Sequence, residues 1–308
     1  MEFALYLPLA LPLVAGLAAR PLAERLPPRL ATWLLAGGAL VLAGASTAAL
    51  CLLVLTAVIR IPLVDVAGGM SEPVIRRLDP ASLPVALVAA VLLAAALAAA
   101  GLALWRRGGA LVAAGREARR LPGRRQVVIV QDPAADAYTL PGWPCRVVIT
   151  SGMLVALSHA ERRVLLAHER AHASGLHYLF GTASRLAAAL NPLLRPVAGA
   201  VGYTLERWAD ESAATATGDR PLAARALAHA ALASAGGPVR PPAMALHAIG
   251  SPGPVPRRMA ALLRPPPRPR VLLVSAAALL VIVAGASALV AASDLHGLLE
   301  YAQAAWTA

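Results

Sequence analysis

The chain of 308 residues contains no lysine, only two cysteines and only two phenylalanines, and 14% of its residues are charged. Each shortage excludes something. Cys51 lies in an apolar run and Cys145 in a Pro/Gly-rich turn. They read as two unpaired thiols, not as a disulfide framework or a zinc knuckle. Aromatic residues make up 4% of the chain. That is too sparse for base stacking, and no recognition motif for nucleic acid occurs, so no direct nucleic-acid binding is expected. The formal net charge of +12 is carried by arginine alone. These arginines flank apolar runs, which points to a membrane surface. The scarcity of charge is matched by an excess of apolar residues, 58% of the chain, well above an ordinary soluble domain.

Four apolar stretches are long enough to be membrane helices, at about 3–19, 31–58, 81–105 and 271–292. The first contains Pro8 and Pro12 and ends at Arg20. Only Glu2 precedes it as an early charge, so it reads as a proline-kinked membrane helix, not a cleaved signal. The distribution of arginine then predicts orientation. Arg20, Arg25 and Arg29 face a single Glu24 between the first two spans. Between the second and third, Arg60, Arg76 and Arg77 are balanced by Asp65, Glu72 and Asp79. Arg106, Arg107, Arg116, Arg119, Arg120, Arg124 and Arg125 follow the third span, and Arg264, Arg268 and Arg270 precede the fourth. The tail holds Asp294 and Glu300 and no arginine. The expected layout is a multi-pass membrane protein. Residues 1–105 form three spans, 106–270 a cytoplasmic domain, and 271–308 a fourth span with a short tail. Both termini are expected outside.

Within 106–270, QVVIVQ (126–131) and RVVIT (146–150) predict short strands. Helices follow. Ser158 with Glu161 forms a capping-box pattern. Pro196 suits the first turn of a helix that carries Glu206 and Asp210 and stops near Gly218. A third, alanine-rich helix is expected over 221–234, and the proline-crowded stretch 238–270 reads as a stiff linker back to the membrane.

The chemistry concentrates in His168-Glu169-Arg170-Ala171-His172. Two histidines four apart share one helix face, and each can give a neutral imidazole nitrogen to one zinc ion. Glu169 borders that site as a general base. An open catalytic site needs one further protein ligand. Glu206 is the first candidate, with Asp210 one turn on to accept the other N–H of a liganding imidazole; Glu211 is the rival. Tyr138 and Tyr203 are candidates for stabilising an oxyanion. Arg257 and Arg258 are candidates for binding a substrate carboxylate or phosphate, or else basic residues beside a membrane. The alternative from another class is a non-catalytic membrane signalling or scaffold protein that keeps zinc for structure only, and such a site would have no use for Glu169.

The runs LLAHERAH (165–172), Asn191-Pro192 and LERWADESAA (205–214) resemble the membrane zinc metallopeptidases of the BlaR/MecR type. The resemblance is to the short actinobacterial members without a penicillin-binding sensor domain. It extends over about residues 126–262 and to the four-span layout. The chain is also similar to the HtpX and CAAX-prenyl-protease types, which share an E-x-x-A-D element whose glutamate is a zinc ligand. The resemblance implies a mainly α membrane protein, four transmembrane helices with an inserted cytoplasmic α+β gluzincin-like metallopeptidase domain. It implies one zinc per chain held by His168, His172 and Glu206, with Glu169 catalytic. It further implies a protein substrate: a cytoplasmic transcriptional repressor, or damaged membrane proteins as in the HtpX type, with self-cleavage near the Arg-rich linker. VITSGML (148–154) occupies the place of a strand leading towards the zinc helix, in a region where an exposed strand pairs with the substrate backbone. Two positions depart from the pattern. His177 stands where many relatives have an aspartate, open to a role as extra ligand, proton donor or supporting residue. Pro252 aligns with a histidine of the CAAX type, so no transition-state donor carries over from there.

Overall fold

The computed structural model of the chain describes residues 2–58, 83–123, 126–142, 145–235 and 255–307. The charged loop between the second and third apolar runs, Arg124, Arg125 and Pro252 lie outside the described residues. Among the described residues, four helices are long and apolar enough to cross a membrane, over Leu5–Arg25, Pro28–Leu55, Leu83–Arg120 and Val271–Gly297. They belong to α1 (Glu2–Arg25), α2 (Pro28–Val58), α3 (Leu83–Arg120) and α10 (Val271–Thr307). Two outrun the apolar stretches that predict them. α3 continues through Arg106–Arg120, where Ala114 and Ala118 pack against Leu140 and Val148 of the sheet. α10 continues through the expected tail, where leucine, alanine, glutamate and glutamine favour helix and His296 pairs with Glu300 one turn on at 3.3 Å.

α2 is the axle of the bundle. Ala31, Thr32, Leu35, Ala36, Ala39, Leu42, Ala43 and Ser46 recur at helical spacing and are buried. Small side chains on such a stripe let neighbouring backbones approach closely, which is how helices associate where burial from water supplies little driving force.

The next elements are β1 (Val127–Val130), β2 (Ala137–Leu140), β3 (Arg146–Thr150) and α4 (Ser151–Ala156), then α5 (His159–Ser174), α6 (His177–Leu190), α7 (Arg195–Thr217) and α8 (Arg220–Ser234). A 3-10 turn over Pro192–Leu194 joins α6 to α7. The strand order is β1-β3-β2. β1 runs parallel to β3 (Val128 opposite Val148) and β2 antiparallel to it (Thr139 opposite Val147). The strand expected at 148–150 is present as the end of β3, and the edge strands of this region are β1 and β2. β3 is the central strand and all five of its residues are buried. The β2 strand, AYTL, lacks the β-branched run of its two neighbours in sequence.

α6 and the first half of α7 form a hairpin laid along α2. Near its open end Thr32 Oγ1 donates to Thr204 Oγ1 at 2.9 Å. At its tip Asn191 Nδ2 donates to Ser46 Oγ at 3.1 Å. Fourteen residues of α2 separate these bonds, about 21 Å of helix. The main core accordingly joins Ala19, Leu35 and Leu42 of the apolar helices to Ala187, Val197 and Val201 of the hairpin. It does not stop at residue 105 and restart at 270.

The remaining helix, α9 (Val255–Leu262), corrects the reading of 238–270 as a linker throughout. Pro256 stands in its first turn, where a missing N–H costs nothing, and Met259–Leu262 are good helix formers.

Candidate metal centre

α5 begins with the expected capping box: Ser158 Oγ accepts from the Glu161 N–H, and Glu161 Oε2 accepts from the Ser158 N–H at 2.9 Å. That start fixes the helix phase and sends His168 and His172 towards α7. α7 ends on Gly218 at φ 69, a left-handed cap that favours glycine.

His168 Nε2 and His172 Nε2 are 3.1 Å apart. Glu206 Oε2 lies 3.7 Å from the first and Glu206 Oε1 3.6 Å from the second. One donor atom from each residue falls within 4.8 Å of the others. Ligands about 2.0–2.1 Å from one tetrahedral zinc stand roughly 3.3 Å from each other, so the imidazole pair is already at that spacing and the carboxylate stands a few tenths of an ångström or more outside it. The rival ligand is turned away: Glu211 accepts both guanidinium N–H groups of Arg220, one of them at 2.9 Å.

Both imidazoles are steered from behind. His168 Nδ1 donates to Asp210 Oδ1 at 3.1 Å, and His172 Nδ1 lies 2.8 Å from His177 Nδ1. With Nε2 as the metal ligand, His172 Nδ1 carries the proton and His177 accepts it. His177 therefore sits behind the ligand pair, buried to 2% exposure. Gly175 makes room for it, because a Cβ there would lie 2.5 Å from His177 Nε2 and 2.8 Å from the Ala171 carbonyl oxygen.

Glu169 is 7% exposed, and Thr139 Oγ1 on β2 stands 2.9 Å from its Oε2. Burial pushes the Glu169 carboxyl above the ordinary carboxylate range, against the opposing pull of His168 and of the Thr139 hydroxyl. Burial disfavours a charged His168, yet Asp210 and Glu206 raise its basicity overall, which strengthens it as a metal donor.

Arg258 was offered by the sequence only as a substrate-binding or membrane-adjacent cation. It is buried, forks onto Asp210 with Nε at 2.7 Å and Nη2 at 2.6 Å, and places Nη1 3.0 Å from Glu206 Oε2. Burial would raise the Asp210 carboxyl, but the Arg258 guanidinium and His168 hold it down to about 2. The arginine is fixed by the short α9, which lies in the stretch that the sequence predicts as a linker. Thr139 was missed with its strand.

Neither tyrosine lies among the metal donors. Tyr203 stacks under Arg257 at 4.8 Å and Arg207 at 5.8 Å. Tyr138 packs with Ala114 and Leu140 on the face of β2 opposite Thr139. Arg257 also pairs with Glu24, and Arg207 Nη1 donates to the Ala23 carbonyl at 2.8 Å. The α1–α2 turn and the metal centre thus share one end of the bundle.

A cleft of about 260 Å³ opens onto the centre, lined by His168, Glu169 and Glu206 together with Asp136 and Ala137 at the start of β2. A mostly helical bundle with four long apolar helices and a small three-stranded sheet fits a membrane-embedded protein, and its His-His-Glu cluster beside a buried glutamate is a group that could hold a metal ion. Residues 108–194 match the family model of peptidase family M48. This match supports the M48 metallopeptidase family and indicates a metalloprotease, a class that depends on a metal, typically zinc. It includes both histidines and Glu169 and ends before Glu206, Asp210 and Arg258. No curated protein and no solved structure matches the chain.

Proposed function

We propose that the protein is an integral membrane zinc endopeptidase that hydrolyses peptide bonds at the cytoplasmic membrane face. The observation that carries this reading is the convergence of His168, His172 and Glu206 within 4.8 Å, beside the buried Glu169 carboxylate, whose hydrogen-bond partner among the described residues is the Thr139 hydroxyl. Zinc bound there supplies Lewis acidity, lowering the pKa of water and polarising a peptide carbonyl. The chain's own residues do the rest. Glu169 accepts the proton of the attacking water and returns it to the leaving amine. Asp210 and His177 hold the two imidazoles in the tautomers and orientations that ligation needs. Arg258 neutralises Asp210 and braces Glu206. A substrate segment lies extended along β2, the edge strand whose start lines the cleft.

The arginine-rich α1–α2 turn lies at the same end as the metal centre, which supports a cytoplasmic placement by the positive-inside rule. The likeness to the BlaR/MecR type supports a regulatory substrate such as a transcriptional repressor, with self-cleavage included. Glu169→Gln is expected to keep zinc and to lose turnover by roughly a thousandfold or more, as the loss of a general base does. Cleavage products in cells carrying the wild type or E169Q check it. Normal products from E169Q refute the mechanism.

A further inference from the structure

On the far side of α5 from the metal cleft runs a second hollow, about 880 Å³, between α2, α5, α6 and α7. Its walls grade along the bundle. Arg29, Arg170 and Ser212 mark the end nearer the metal centre, and Gly37, Leu40 and Ala183 the end deeper along the apolar helices. Arg29 and Leu40 are eleven residues apart on α2, about 16 Å of helix. Trp33, Phe180 and Trp208 form the middle: Trp33 meets Phe180 edge-on at 4.7 Å and Phe180 lies 6.1 Å from Trp208. Arg29 lies over the Trp208 ring at 5.5 Å. Among the described residues neither Arg29 nor Arg170 pairs with a carboxylate. The apolar wall is open, with Trp33 57% and Leu40 49% exposed.

We infer that this groove holds an anionic phospholipid of the adjoining leaflet, its acyl chain against Trp33, Gly37 and Leu40 and its phosphate between Arg29 and Arg170. The chemistry matches at both ends: an apolar, aromatic trough along a spanning helix, closed at the interface by two guanidiniums that pair with no carboxylate among the described residues. A zwitterionic lipid brings the same phosphate but offsets it with its own ammonium, so two guanidiniums favour a lipid with net negative charge. An occupant also reaches the reaction, because Trp208 packs against His177 with ring centroids 4.6 Å apart and His177 holds His172. A lipid that fixes Trp208 steadies a metal ligand. This coupling rests on the peptidase reading; the lipid site itself does not.

The test is native mass spectrometry of the purified full chain, delipidated in detergent and offered phosphatidylglycerol and phosphatidylcholine in competition. Two guanidiniums predict a preference for phosphatidylglycerol of about thirtyfold. The double variant R29Q/R170Q is expected to bring that preference close to one. G37L fills the trough where a Cβ meets nothing within 4 Å, and is expected to release both lipids. E169Q is expected to retain lipid like the wild type while failing to cleave. Equal retention of the two lipids by the wild type, or wild-type retention by both groove variants, overturns the site. Wild-type turnover that is the same in bilayers of either lipid overturns the coupling. Retention without peptidase activity in any membrane supports the site and refutes the peptidase reading.

Discussion

Arg258 reaches two carboxylates at once. Asp210, which orients His168, takes the fork of Nε and Nη2, and Glu206, a metal-ligand candidate, faces Nη1. Removing the guanidinium leaves a buried Asp210 without its counter-charge, a loss of about 3–5 kcal/mol in comparable buried pairs. R258A is expected to lower the thermal midpoint of the zinc-free protein measurably, and R258K to recover little of it, because an ammonium cannot reproduce the planar fork. Thermal unfolding in chelator checks both. Thr139 sets a second expectation. A general base acts in its ionised form, so the acid limb of kcat/KM follows the Glu169 pKa, which burial raises and the Thr139 hydroxyl lowers. The charge of the bound ion shifts the limb in both proteins alike. T139V is therefore expected to move the acid limb to higher pH than in the wild type. A limb at unchanged or lower pH contradicts the hydrogen bond as a tuning contact.

The turn between α5 and α6 shows how an element boundary serves the site. Gly175 leaves no room for a side chain, and Leu176 adopts a left-handed φ of 50 to bring His177 back against His172. The methyl of G175A displaces His177 or the turn, so zinc affinity is expected to fall by 10- to 100-fold, the usual effect of losing a residue that supports a ligand. Competition with a chromophoric chelator measures it. This turn was not legible from the sequence. The capping box at Ser158, the Pro196 start and the Gly218 stop of α7 were, because each is a local rule of helix termini. β2 escaped because AYTL lacks the β-branched run that marks β1 and β3, and α9 because its eight residues lie among prolines.

At the scale of the whole molecule, the histidine pair and the acidic residues on α7 were legible because each is a same-face spacing on one helix. Which carboxylate faces the histidines was not: Glu206 and Glu211 are separated by tertiary geometry alone, Glu211 being held by Arg220. Nor did composition reveal that the hairpin of α6 and α7 threads between apolar helices. Its alanines read equally well as the face of a soluble helix. That threading gives the metal centre its rigidity, since α7 bears Glu206 and Asp210 at one end and is packed against α1 and α2 along the other. The central claim is that two imidazoles and one carboxylate from this frame hold a single zinc. Metal analysis of purified wild type, E169Q, H172A and E206A tests it most directly. The account predicts one zinc per chain in the first two and well under one in the last two. A full equivalent of zinc in both H172A and E206A would contradict it.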